Sequence, residues 1–200
     1  MANMVSKNNI CNITDHGEKG FGQDVKIETI SFLCSSLDVL SENVIIESYI
    51  KNSYSSKSKS YIFDEDFPYW LIYREVYFDQ VAFKMKLGIF NAFRDRQITK
   101  ALTKSRGKFR VLKARNIGDN EIKNITNYDC YIDDISSFAV KKYLNSNVIL
   151  VPNLTYNPRA TRLPKGSIAD GSAAILYSNE LVTDEDIDYL SSVEFNRFYR

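Results

Sequence analysis

Hydrophobic positions along the chain form short alternating runs separated by polar segments, with helical spacing in two places. Val25–Cys34 (VKIETISFLC) and Asn43–Ile50 (NVIIESYI) are rich in Val, Ile, Phe and Tyr, and predict two strands. In the first, Val25, Ile27, Thr29 and Ser31 share one face, with Ile30 and Phe32 on the other. The connection Ser35–Glu42 is long enough to close them as a hairpin, and Gly17, Gly20 and Gly22 predict a flexible approach from upstream. Lys51–Ser60 (KNSYSSKSKS) has no apolar side chain beyond Tyr54, so it predicts an exposed loop or linker and the clearest boundary in the chain.

Beyond it, the aromatic run Phe67–Tyr73 is expected to enter a core. Phe78, Val81, Ala82 and Met85 recur at helical spacing and predict an amphipathic helix. Gly88 leads a turn into the polar stretch ending at Thr99. Phe109–Lys113, Tyr128–Asp133, Asn147–Pro152 and Ser172–Tyr177 predict short strands, the first ending in a turn over Ala114–Asp119. A final helix starts at Thr183, where Asp186 completes a capping box and Val182 and Ile187 hold the staple positions. First-turn acids and a late Arg197 suit its dipole, and Ile187, Leu190, Val193 and Phe198 form its expected buried face. Arg200 falls inside this helix, so the chain reads as cut from something longer. The sum is an α+β, strand-rich globule with flanking helices, preceded by a hairpin.

Composition narrows the class. With 44% hydrophobic and 26% charged residues the chain is neither disordered nor membrane-spanning, and no signal peptide is expected at its start. Cys11, Cys34 and Cys130 fit no metal spacing or disulfide framework, so reduced thiols in a cytoplasm are expected. The net charge of +1 conceals a strong asymmetry: residues 84–115 carry 11 basic side chains and one acid. Such a cluster suits a polyanion, unless acids from elsewhere, such as those at 64–66 and 184–186, fold over it.

Catalytic constellations are scarce. His16 is the only histidine, placed by the sequence in an exposed polar loop. Gly17–Gly22 lacks the spacing of a phosphate cradle, and pairs such as Asp133-Asp134 have no metal-ligand context. Binding residues are better represented. Arg94, Arg96, Lys100, Lys104, Arg106, Lys108, Arg110, Lys113 and Arg115 suit phosphates. Asp95, Gln97, Thr99 and Asn116 among them are types that read base edges. A second cluster, Asn153, Thr155, Tyr156, Asn157, Arg159 and Arg162, lies in a loop stiffened by Pro152, Pro158 and Pro164.

The runs FPYWLIY (67–73), FNAFRDRQIT (90–99), VLKARNI (111–117) and ILVPNLTYNPRA (149–160) resemble adenine-specific DNA methyltransferases of type II restriction–modification systems. Residues 166–176 and the terminal segments YLSS and FNRFY are similar to their C-terminal target recognition domain, which also resembles half of a type I specificity subunit. The resemblance implies two parts: residues 1–56, a remnant of the catalytic domain with a linker, and residues 57–200, a DNA target recognition domain. It implies double-stranded DNA as ligand, and as partners a methyltransferase catalytic domain or subunit and a nuclease. The family's donor-binding glycines and NPPY-type motif are missing, Asn157-Pro158-Arg159-Ala160 being the nearest string. No methyl transfer is therefore expected from this chain, and S-adenosylmethionine would belong to the catalytic part. Two other classes stay open: a protein-interaction or inhibitory module on the same fold, and an enzyme of another type.

Overall fold

A computed structural model describes residues 9–18, 20–22, 27–35, 41–67 and 69–199. Eleven strands in three sheets and four short helices among them make an α+β, strand-rich protein. No helix among the described residues is long and apolar enough to cross a membrane. The chain divides into two compact units, Met1–Val76 and Tyr77–Arg200.

The first unit holds one sheet of order β2-β1-β3-β4, made of β1 (Ile10–Gly17), β2 (Thr29–Cys34), β3 (Asn43–Ser48) and β4 (Ser53–Ser58). The expected hairpin between β2 and β3 is not formed. β1 separates them, antiparallel to β2 and parallel to β3. Its sequence hides this role because only Ile10 and Ile13 are buried apolar residues, and register shifts at both ends disturb the alternation. His16 therefore sits in a strand rather than a loop, with Nε2 2.8 Å from Ser31 Oγ on β2. The segment read as a linker is β4 followed by α1 (Lys59–Ile62). Its polarity belongs to an edge strand, where hydroxyls and a lysine are tolerated. Lys57 Nζ also donates to the Ile72 and Arg74 carbonyls, at 3.3 and 2.6 Å.

Ile10, Ile13, Val44, Ile46, Ile62 and Phe63 form this unit's core. The aromatic run enters it less than expected: Ile72 packs against the core, while Tyr69 is 75% exposed. Tyr73 instead closes a polar knot, donating its hydroxyl proton to buried Asp15, with Ser48 Oγ 2.7 Å from the same hydroxyl. Ser48 Oγ also reaches Asp15 at 3.3 Å.

The second unit stacks two small sheets. One is β10-β6-β7, built from β6 (Phe109–Leu112), β7 (Cys130–Ile132) and β10 (Ser167–Ala169). The other is β5-β11-β8-β9, built from β5 (Asn91–Phe93), β8 (Ile149–Pro152), β9 (Thr161–Arg162) and β11 (Ala173–Tyr177). Successive side chains of β8 point to opposite faces. Leu150 joins Val111, Leu112, Ile168 and Ile175 in the core shared by both sheets, whereas Ile149 packs with Val182 and Ile187 of the terminal helical region. Four strands predicted from sequence are thus present, slightly trimmed. So is the helix at the unit boundary, α2 (Val76–Ala82), which ends short of Met85.

The terminal helix is two helices. α3 (Asp184–Leu190) begins as expected, with the Thr183 hydroxyl accepting from the Asp186 amide at 3.2 Å and the Asp186 carboxylate accepting from the Thr183 amide at 2.8 Å. Ser191 ends it, and its hydroxyl accepts from the Ala160 amide at 2.9 Å. Ser192 then accepts from the Phe195 amide at 3.0 Å and starts α4 (Val193–Tyr199). Serine hydroxyls compete with the helical ladder in this way. Val193, expected on the buried face, is 87% exposed as a result.

Candidate nucleic-acid interface

β6 delivers the second half of the basic stretch to a tight turn over Ala114–Asn116. Asn116 is fully buried and closes that turn: Oδ1 accepts from the Lys113 amide at 3.0 Å, and Nδ2 donates to the Lys123 carbonyl at 3.0 Å and to Asp129 Oδ1 at 2.7 Å. Asp129 Oδ2 in turn accepts from Arg110 Nη2 at 2.8 Å and from the Ile125 amide at 3.2 Å. This correction is forced by satisfaction: an amide with its donors and acceptor committed inside the protein has none left for a base. Asp95 is a second correction. It is buried, and Oδ1 caps the following turn by accepting from the Gln97 and Ile98 amides, each at 2.8 Å.

The residues around Asp95 are held rather than offered. Arg94 Nε donates to the Gly171 carbonyl at 2.6 Å, and Gln97 Oε1 accepts from the Ala139 amide at 2.9 Å. Gly171 must lack a side chain, because a Cβ there would lie 2.5 Å from the Asp95 carbonyl oxygen. Acids from elsewhere neutralise part of the patch: Lys84 pairs with Glu194 at 2.8 Å, Lys86 with Glu180 at 2.5 Å, Lys104 with Asp133 at 2.9 Å and Arg110 with Asp129 at 2.8 Å. Hydrogen bonding to Lys104 holds the Asp133 carboxyl below its usual range, and Lys84 does the same for Glu194. Of the acids expected to cover the patch, Asp64 pairs with Arg74, Asp184 pairs with Arg162 and Asp186 closes its own cap, while Glu185 and Asp186 line a pocket with Lys84 and Lys86.

In the proline-bearing loop, Arg159 is a tie. Nε donates to the Ile117 carbonyl at 2.6 Å, Nη2 to the Ala114 carbonyl at 3.3 Å and Nη1 to Thr155 Oγ1 at 3.3 Å. It fastens this loop to the turn after β6, so the two sequence clusters meet. Thr155 Oγ1 also brackets Asn157, donating to its carbonyl at 2.7 Å and accepting from its amide at 3.1 Å. Arg162 lies apart, bonded to Asn147 and to Asp184. Asn153 is half-buried, and Tyr156 is 80% exposed.

Arg96, Thr99, Lys100, Arg106, Lys108 and Arg115 remain exposed, and the cations among them have no carboxylate partner among the described residues. Arg115 is oriented without being neutralised: its guanidinium carbon lies 4.9 Å from the centre of the Tyr128 ring. Lys113 Nζ stands 3.8 Å from that ring and donates to the Tyr128 carbonyl at 2.7 Å. Arg115 opens onto a polar cleft of about 510 Å³, lined also by Asp119, Lys123, Asn157, Pro158, Arg159, Ser191 and Asn196. Asp119, Lys123, Ser191 and Asn196 were not singled out from sequence. They carry no local signal, because tertiary packing alone brings α4 beside residues 115–123. The chain matches no protein-family model, and a search of curated proteins returns no match.

Proposed function

We propose that the second unit binds double-stranded DNA sequence-specifically, as the specificity part of an adenine-methylating restriction–modification system. The observation that carries this reading is the cleft where Arg115, from the basic stretch, meets Asn157 and Arg159, from the proline-stiffened loop. Arg96, Lys100, Arg106 and Lys108 add charge with no carboxylate partner among the described residues, and each phosphate they neutralise strengthens binding at low salt. In this reading methyl transfer and S-adenosylmethionine belong to a separate catalytic domain or subunit in the cytoplasm. A nuclease working on the same DNA would be a further partner.

The test is binding of the full chain to a pool of randomised duplexes across a salt series. The expected result is selection of a subset of sequences, with affinity falling steeply as salt rises. Absence of binding at about 50 mM salt, where phosphate contacts are strongest, would overturn the proposal.

A further inference from the structure

We infer that the cleft reads the edge of a guanine–cytosine pair, with Arg115 addressed to guanine and Asp119 to cytosine; this rests on the DNA-binding reading above. A track for phosphates would offer cations and N–H groups alone. This cleft contains Asp119, which is exposed and whose carboxylate has no hydrogen-bond or ion-pair partner among the described residues. A carboxylate only accepts hydrogen bonds, as a phosphate oxygen does, so the two repel. Asp119 therefore weakens a phosphate site and has a use only where the ligand presents a donor.

Base edges present both kinds of group. In the major groove guanine shows the O6 and N7 acceptors, and its cytosine partner shows the N4 amino donor. Arg115 supplies donors and nothing else, and the Tyr128 ring behind its guanidinium orients it without consuming them. Asp119 supplies the complementary acceptor four positions later in the chain, lining the same cleft as Arg115. The other cations lining it are engaged, Lys123 3.6 Å from Glu121 and Arg159 tied to the Ile117 and Ala114 carbonyls. Donor and acceptor together match a base pair and mismatch a backbone.

Selection from randomised duplexes with the full chain tests the assignment, using Asp119→Ala, Asp119→Asn and Arg115→Ala. The exposed position of Asp119 leaves the fold intact, and circular dichroism verifies this for each variant. Wild type is expected to select a guanine–cytosine pair at one position. Asp119→Ala should lose that preference and bind the selected duplex roughly ten-fold more weakly, the scale of one lost base-edge contact. Asp119→Asn should shift the preference toward adenine, which asparagine pairs with through N6 and N7. Arg115→Ala should lose the guanine preference at the same pair. Tighter binding of every duplex by Asp119→Ala, or an unchanged preference, would overturn the assignment while leaving DNA binding standing. A wild-type chain that binds no duplex would instead remove the DNA reading, and this assignment with it.

Discussion

The knot of Arg110, Asn116 and Asp129 and the cleft beside it use the same residue types, one position apart in the chain, for opposite ends. Asn116 has no exposed surface, and its amide is bonded on both sides. Arg115, its neighbour, is exposed and stands over the Tyr128 ring, with no carboxylate partner among the described residues. The difference lies in what the backbone needs. The turn after β6 leaves amides and carbonyls pointing inward at Lys113, Lys123 and Ile125, and buried polar groups of this kind must be paired. Asn116 and Asp129 pair them. Arg115 points away from that turn, so its donors stay available. Residue type marked both as DNA contacts; only the hydrogen-bond inventory separates a clamp from a reader.

Removing Asp129 should break the closed region most severely. Asp129→Ala leaves Arg110, whose side chain is only 20% exposed, without its carboxylate, and takes an acceptor from the Asn116 side chain and from the Ile125 amide. An expected loss of about 3 kcal/mol in unfolding free energy follows from leaving a largely buried charge unpaired. Denaturant unfolding followed by fluorescence measures it. Asn116→Ala should cost less, about 2 kcal/mol, since it orphans the Lys113 amide without stranding a charge, and the Lys123 carbonyl keeps its bond from Arg110 Nη2 at 3.1 Å. Unchanged stability in Asn116→Ala, together with altered sequence preference, would return Asn116 to the role of reader and dissolve the contrast.

Much of the second unit was legible because its strands alternate or run apolar between turns. β6, β8 and β11 appear where Val, Ile, Leu and Phe concentrate, β7 where Cys, Tyr and Ile follow one another, and Thr183 caps α3 through chemistry confined to four residues. The first unit resisted because β1 and β4 are polar. Asp15 is acceptable inside β1 because the Gly17 amide, Ser48 and Tyr73, the last 58 positions away, all donate to it. The candidate site divided along the same line. Arg115, Asn157 and Arg159 meet in one cleft, yet Asp119 and Asn196 join them through packing that no local pattern encodes. Asp95 and Asn116 had the right residue types for reading bases and were taken up by turns.

The open region should respond in the reverse sense. Arg96→Ala, Arg106→Ala and Arg115→Ala remove exposed side chains without carboxylate partners. Each should therefore leave unfolding within about 0.5 kcal/mol of wild type. Loss of a phosphate contact, at Arg96 or Arg106, should flatten the dependence of log affinity on log salt by about one. Lys104→Ala, which also releases Asp133 from its ion pair, tests whether charge alone suffices. Equal losses from Lys104 and Arg106 would mean that the paired cations grip DNA as well as the unpaired ones, and would blur the division drawn here.

The smallest effect at neutral pH belongs to the first unit, whose Asp15–Ser48–Tyr73 knot is closed in the same manner as Asn116–Asp129. Burial, reinforced by the hydrogen bond to Asp15, pushes the Tyr73 hydroxyl up to about 12 from an ordinary value of 10.0. A group whose folded value is raised stabilises the fold fully below its unfolded value, and that contribution disappears as pH climbs through the folded one. The knot should therefore be intact at pH 7 and weaken only between about 10 and 12. Tyr73→Phe should abolish this alkaline loss while leaving a constant deficit at neutral pH, because buried Asp15 then loses one of its hydrogen-bond donors. Alkaline unfolding monitored by phenolate absorbance separates the two curves. If wild type and Tyr73→Phe lose stability in parallel above pH 10, the knot is not what fails there. Closure around Asp15 would then differ in kind from closure around Asn116.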